Sequence, residues 1–294
     1  MRLPHVLALT FAQVLWGANF AVLKFGLADW PPLFFVSLRL IAVGLLLTPF
    51  VGLPKRTQLP GLIAICGVLG IIHFGALFAS LDLADAATTS IVIQIQVPIA
   101  ALVAAWLFGE TLHWRRWTGM ALALAGIALL VGRPSFQGGL PAIFLILVAA
   151  VSWVAANIQI KKLEGEISGW QLNAWVGLFS APMVLALSLL TESGHVEAIR
   201  HARPGAWIAM AYQVGVVTVV CYGLWYSMMR RYPIGQVMPF TLLEPVFGAT
   251  AAVLLLHETW DWVMVLGGLV TVSGLAIIIL RRPEAVVQPV GPGT

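Results

Sequence analysis

An all-α integral membrane protein is the fold class this sequence predicts: ten transmembrane helices in two inverted five-helix repeats, with both termini cytoplasmic. Three observations predict it. Of 294 residues, 60% are hydrophobic and only 10% charged, with a mean hydropathy of +0.96, whereas a water-soluble domain carries about 25% charged residues. The apolar residues run in ten continuous stretches, each close to the roughly 20 residues that span a bilayer as a helix. Finally, the chain repeats itself. Gly109-Glu110-Thr111-Leu112-His113-Trp114 is echoed by His257-Glu258-Thr259-Trp260-Asp261-Trp262, each copy preceded by a mid-span proline, Pro98 or Pro245. Gly119 and Gly267, Gly126 and Gly274, and Arg133 and Arg281 follow at matching spacings. An offset of about half the chain makes the protein two copies of one unit.

The spans fall at 5–23, 33–53, 61–80, 87–108, 116–132, 141–160, 170–190, 205–228, 234–256 and 262–280. Continuous apolar runs, without period-two alternation, select helices over a barrel. The first span follows Arg2 and continues into Trp16-Gly17-Ala18-Asn19 without a small-residue cleavage site, so it reads as retained. The fourth and ninth are interrupted by Pro98 and Pro245. Glycines mark the fifth (Gly119, Gly126) and the tenth (Gly267, Gly268, Gly274), where they let backbones approach as a rigid scaffold or a dimer contact. The prolines, Pro98 and Pro245 above all, read as flexing or gating points, as do Gly67, Gly70 and Gly75 in the third span and Gly215 and Gly223 in the eighth. The repeats divide at 1–135 and 136–282, and the Pro- and Gly-rich 283–294 reads as a disordered tail.

Charge sets the orientation. With the N-terminus inside, eleven Lys and Arg lie in cytoplasmic segments: Arg2, Lys55, Arg56, Arg115, Arg116, Lys161, Lys162, Arg230, Arg231, Arg281 and Arg282. Four lie outside, and Arg39 stays within a span. Five helices per repeat is odd, so the second copy must enter the membrane upside down. The charges follow: Arg115 and Arg116 align with uncharged Val263 and Met264, and Arg230 and Arg231 with Leu83 and Ala84. Inverted repeats recur in secondary transporters, with the substrate site near the midplane between the halves.

Composition and motifs exclude other classes. The net charge of +4 is accounted for by topology, which leaves no reason to invoke nucleic acid. Cys66 and Cys221 both fall inside spans and read as buried thiols, with no metal site and no cofactor expected. No Gly-x-x-x-x-Gly-Lys-Ser/Thr loop is present, so transport is facilitated or ion-coupled, with protons the candidate ion. The chain has no His-Glu-x-x-His or Gly-x-Ser-x-Gly element, which argues against an enzyme.

These residues resemble a known family. Trp16-Gly17-Ala18-Asn19-Phe20, Arg39, and Pro98 followed by Gly109-Glu110-Thr111 are similar to the EamA-type repeat of the drug/metabolite transporter superfamily. Glu244-Pro245 followed by His257-Glu258-Thr259 is its second copy. The resemblance covers essentially the whole chain and implies export of small metabolites, frequently amino acids, through a central cavity in the bacterial inner membrane. The second copy departs at Trp153-Val154-Ala155-Ala156-Asn157, where Trp and Asn stand four apart instead of three. A cationic or aromatic drug pump is the alternative within transport, and a receptor or scaffold the alternative outside it. Membrane lipid is the expected surroundings, and a monomer or weak homodimer the expected assembly.

The polar residues within spans are the candidate site. Gln13, Trp16 and Asn19 recur every three residues and share one helix face, as Trp153 and Asn157 do at a spacing of four. Indole beside carboxamide suits a zwitterion with an apolar side chain, although such amides also tie helices together. A mid-span proline frees a carbonyl about one turn earlier, which draws attention to Gln94 before Pro98 and Thr241 before Pro245. Gln96, about 200° round the helix from Gln94, is assigned to a helix contact. Glu244 is the sharpest candidate, because a mid-span acid costs on the order of 3 kcal/mol. It can bind a substrate ammonium, carry a proton, or remain a protonated structural donor. Arg39 is close enough to the outer end of its helix to snorkel as an anchor, or it can bind a carboxylate. His73 can relay protons or simply be satisfied by a neighbour. Tyr222, with Trp225 and Tyr226, forms either an aromatic cavity wall or a lipid-facing patch. Glu110 and Glu258 read as helix caps.

Overall fold

The computed structural model describes residues 1–83, 89, 92–109, 113–131, 139–163, 166–256 and 262–279. Among them the regular structure is entirely helical. In chain order the helices are α1 (Leu3–Leu27), α2 (Pro32–Leu47), α3 (59–83), α4 (Ile93–Phe108), α5 (Trp114–Val131), α6 (Gly139–Lys162), α7 (Gly169–Thr191), α8 (Pro204–Arg231), α9 (234–256) and α10 (Trp262–Ile279). A short surface helix, His195–Arg200, precedes α8 and was not foreseen from the apolar pattern. Eight of these helices are long and apolar enough to cross a membrane. The exceptions are α4, shorter within the described residues, and α5, whose first turn holds Arg115 and Arg116.

Prolines start several helices. Pro4, Pro32, Pro60 and Pro204 occupy first-turn positions, where the missing N–H has no intrahelical partner to lose. Gly109 ends α4 at φ +65°, with its N–H bonded to the Ala104 carbonyl; this left-handed position is the physical reason for a glycine there. It is the described start of the first repeated motif. Glu110 and Glu258, read as caps, lie outside the described residues, as do Arg133, Arg281 and the tail.

Helices that correspond under the half-chain repeat pack against one another. α2 crosses α7 where Gly44 meets Gly177: a Cβ on Gly177 would stand 3.0 Å from the Gly44 nitrogen and the Leu40 carbonyl. Their ends are tied reciprocally. Trp175, near the start of α7, donates from Nε1 to the Gly52 carbonyl beyond α2 at 3.2 Å. Glu192, beyond the end of α7, accepts from the Leu33 and Phe34 N–H groups at the start of α2, at 2.7 and 2.9 Å. The two helices therefore run antiparallel. α5 and α10 do likewise: Gly119 faces Gly274 and Gly126 faces Gly267, so numbers rise on one helix as they fall on the other. These four glycines are used inside the chain, as is Gly268 against Val246 and Leu130. The alternative that they form a dimer contact is therefore corrected to an internal seam.

α3 and α8, also equivalent, each widen into π-helix, at Cys66–His73 and Tyr212–Tyr222. Backbone groups loosened there are taken by α7: Ser180 Oγ donates to the Cys66 carbonyl at 3.3 Å and Asn173 Nδ2 to the Thr218 carbonyl at 3.3 Å. Wide turns of this kind often stand at functional sites. Gly67 and Gly215, proposed as flexing points, have open space where a side chain would be. Similarly, α4 and α9 enter their α-helical halves through 3-10 turns, Ile93–Ile95 and Met238–Leu243.

Each end of the bundle is laced. At one end His5 Nδ1 bonds the Tyr232 hydroxyl at 2.5 Å, and Lys161 donates to the Met229 and Tyr232 carbonyls at 3.0 and 3.3 Å. At the other, Arg203 pairs with Asp29 at 2.6 Å, and their side-chain hydrogen bond holds the Asp29 carboxyl below its ordinary range. Cys66 and Cys221 are buried free thiols.

Candidate functional site

Four helices, α1, α3, α6 and α8, place aromatic rings at one point of the interior. Trp16 of α1 lies 6.5 Å from Trp153 of α6, 5.2 Å from Tyr222 and 5.4 Å from Trp225, both of α8, ring centre to ring centre. His73 of α3 lies 5.4 Å from the Trp153 ring. The crossings are mostly edge-to-face or tilted, the arrangement ring quadrupoles prefer. Trp225 is fully buried and Tyr226 nearly so. Their lipid-facing alternative is thus excluded, and the Tyr222 face looks inward.

Gly17 lets this cluster meet α9. A Cβ there would stand 2.5 Å from Phe247 Cβ, 2.8 Å from the Gly248 nitrogen and 2.9 Å from the Glu244 carbonyl. Glu244 itself begins the α-helical half of α9, directly after the 3-10 turn, and is only partly buried. Among the described residues its carboxylate has no hydrogen-bond or ion-pair partner. It lies within electrostatic reach of Tyr222 and Cys221.

A second polar line runs from α2 to α1. Arg39, 8% exposed, donates from Nη1 to Gln213 Oε1 at 3.0 Å, and Gln213 Nε2 donates to Asn19 Oδ1 at 2.5 Å. A guanidinium has donors only, so it fixes the Gln213 amide and thereby the Asn19 acceptor. The Arg39 guanidinium carbon also lies 5.0 Å from the centre of the Phe74 ring. Among the described residues no carboxylate pairs with Arg39. Its snorkelling role is corrected: the side chain is buried and turned into the bundle, with Tyr222 and Tyr226 within electrostatic reach.

The remaining candidates divide by how their polar atoms are used. His73 Nδ1 donates to the Ala149 carbonyl at 2.9 Å, the satisfied-histidine alternative, which leaves the Nε2 lone pair free. Asn157 donates to the Trp153 carbonyl and accepts from Trp225 Nε1, both at 2.8 Å. Its amide therefore ties α6 to α8. Asn157→Leu strands the buried Trp225 donor and is expected to cost about 1–3 kcal/mol, measured as a lower midpoint of thermal unfolding in detergent. Thr241 bonds its own Met238 carbonyl at 2.8 Å, and the Thr241 carbonyl, which Pro245 leaves without its usual partner, accepts from the Glu244 N–H. Gln94 and Gln96 are both buried, with Gln96 Nε2 3.5 Å from Gln94 Oε1, so the two amides meet across the tighter 3-10 turn.

Sequence reading passed over Gln213, the one amide in its span and the hinge between Arg39 and Asn19. Three polar groups on the candidate residues are buried without a partner among the described residues: Arg39 Nε, Trp153 Nε1 and the whole Gln13 carboxamide. A shallow depression of about 300 Å³ lies elsewhere, at the junction of α2 and α7, lined by Leu47, Phe50, Ser168 and Trp170 with no charged group.

Comparison with known proteins places this arrangement. The model of the EamA-like transporter family matches residues 3–132 and again 140–280. A probable amino-acid metabolite efflux pump of Escherichia coli (strain K12) is 31% identical, over 97% of this chain and 98% of that one. Its namesake in Salmonella typhimurium is 30% identical over 90% and 91%. An uncharacterized inner membrane transporter of E. coli K12, YedA, is 22% identical over 98% and 94%. One solved crystal structure matches with a TM-score of 0.79 at 19% identity, covering 95% of this chain and 99% of the other, and shows the fold alone. With eight apolar helices, this is a multi-pass transporter of the bacterial inner membrane. The chain belongs to the EamA-like transporter family.

Proposed function

We propose that the protein exports small amphipathic metabolites, amino acids first among them, by alternating access around the Trp16–Trp153–Glu244 site. The observation that carries this reading is Glu244, an acid inside the bundle with no protein partner among the described residues. Aromatic rings contributed by both halves of the chain cluster nearby, and Tyr222 among them lies within electrostatic reach of the carboxylate. A carboxylate near apolar rings suits an amphipathic cation or ammonium group, and a mid-span acid is functional by default. The names of two relatives about 30% identical support amino acids as the class.

The proposed topology is ten spans in two inverted repeats, 1–135 and 136–282, with both termini cytoplasmic and 283–294 a disordered tail. Antiparallel packing of α2 on α7 and of α5 on α10 supports it, because equivalent helices of an inverted pair must run in opposite directions. The twofold match of the family model and the eleven-to-four distribution of Lys and Arg support it too. Alternating access then works by swinging α3 and α8 at their π segments about the two glycine seams. A monomer or weak homodimer suffices, since each chain holds a whole site. Protons are the proposed coupling ion, with His73 and Glu244 as the interior groups able to exchange them.

A cationic drug pump is the second reading, favoured by the same acid and rings. Proteoliposomes loaded with labelled leucine, phenylalanine or a cationic dye discriminate the readings, with and without a pH gradient. Amino-acid flux that saturates and responds to the gradient is expected. Dye flux alone establishes the second reading, and no flux of any solute overturns both in favour of a scaffold.

A further inference from the structure

We propose that Arg39 is the carboxylate anchor of the site, so that the exported ligand binds with its carboxylate on this guanidinium. The inference rests on the amino-acid reading above and goes beyond it by naming the residue that selects for the acid.

Three features of the guanidinium carry it. First, its bonds are distributed asymmetrically. Nη1 is committed to Gln213, while Nε has no partner and Nη2 donates to no described residue. Nε–H and Nη2–H form the side-on edge that holds a carboxylate through two parallel bonds. Second, the group is a buried cation that no acid among the described residues pairs. Burying such a charge unpaired is costly, and a protein retains the cost where a ligand supplies the missing charge. The Phe74 ring beneath the guanidinium offsets part of it but gives the Nε edge no acceptor.

Third, the charges break the repeat. What the two halves share is structural: the glycine seams, the π segments, the prolines. α7, the counterpart of α2, carries no charged residue, and Val97 stands where Glu244 stands in the other half. The first half alone therefore brings a buried cation to the interior, and Tyr222 lies within its electrostatic reach. A ligand carboxylate supplies the missing charge, and Trp153 Nε1, buried without a partner among the described residues and on the ring that packs against Tyr222, offers a further donor.

The test is equilibrium binding to the full-length protein in detergent, using L-phenylalanine, L-phenylalaninamide, which lacks the carboxylate, and 3-phenylpropionate, which lacks the ammonium. The wild type is expected to prefer the acid over the amide by about 10- to 100-fold, the worth of a charge-assisted bidentate pair. Arg39→Gln should erase that preference while leaving amide binding within about twofold, and Arg39→Lys should restore only part of it, since lysine lacks the fork. 3-Phenylpropionate, which keeps the carboxylate, should weaken in the same Arg39 variants. If the Arg39→Gln protein is unfolded by thermal melting, Arg39→Lys carries the test. An unchanged acid-to-amide ratio in a folded Arg39 variant overturns the anchor and leaves the amino-acid reading standing. A wild type that binds the amide as tightly as the acid overturns it too. Wild-type protein that binds none of the three but does bind a cationic dye overturns the amino-acid reading itself.

Discussion

Glu244→Gln is expected to lower amino-acid flux in proteoliposomes by about 30-fold or more, the equivalent of about 2 kcal/mol of lost charge-assisted hydrogen bonding. The protein should still fold. Glutamine keeps the shape and one acceptor but cannot bear the charge, so the three roles of this residue separate by kinetics. If the carboxylate binds the substrate ammonium, KM rises and flux at saturating substrate survives. If it carries the coupling proton, exchange of substrate for substrate persists while accumulation driven by a pH gradient disappears. Should it serve only as a protonated donor within the fold, the amide replaces it and nothing changes. Unaltered flux together with unaltered pH dependence would falsify a transport role. The absence of a described hydrogen-bond partner for Glu244, and its position one helix away from the Trp16 ring, make the first two outcomes the expected ones.

The fold was legible because the bilayer writes a coarse code. The apolar stretches fall on helices wherever the chain is described, and eight of those helices are long and apolar enough to cross a membrane, since each stretch must satisfy its own backbone in hydrocarbon. The fourth stretch, expected from residue 87, is described as helix from Ile93, and the segment between 190 and 205 holds an extra short helix. That helix is too polar to register as a span. The packing partners of each glycine were less legible. Gly119 and Gly267 signal close approach, but a sequence does not say whether the approaching backbone belongs to the same chain.

The site was legible by residue type and not by connection. Trp16, Trp153 and Tyr222 pack ring to ring, and Glu244 lies within electrostatic reach of Tyr222. Asn157 and Thr241 have the right chemistry, but local backbone and indole bonds consume it, and such bonds depend on rotamers that spacing does not determine. Arg39 misled in the other direction. Its distance from the helix end permits snorkelling, yet Gln213 lies on the helix that happens to face it, and an amide acceptor in the interior outcompetes the reach to the surface. The π segments had no sequence signal beyond their glycines, because they arise where α7 offers Ser180 and Asn173 to the loosened carbonyls.

Gly267→Ala is the second change with a large expected effect, this time on stability. A Cβ at this position would stand 2.6 Å from the Gly126 carbonyl and 2.8 Å from Leu130 Cα, both backbone atoms that no rotamer can move. α5 and α10 must then part, at a cost of about 1–3 kcal/mol, visible as a fall of the thermal midpoint in detergent. Gly268→Ala is the built-in control, since its Cβ would meet only side-chain atoms, Val246 Cγ1 at 3.5 Å and Leu130 Cδ1 at 3.6 Å, both ordinary contacts. The comparison also bears on mechanism. If the α5–α10 seam is a pivot that stays closed while α3 and α8 move, Gly267→Ala lowers the midpoint but leaves KM for the transported amino acid unchanged. If the seam instead opens during transport, the methyl group shifts the balance of conformations, and KM moves with the stability. A Gly267→Ala protein that melts like Gly268→Ala would mean the two helices do not touch through glycine, and the antiparallel seam supporting the inverted repeat would lose its footing.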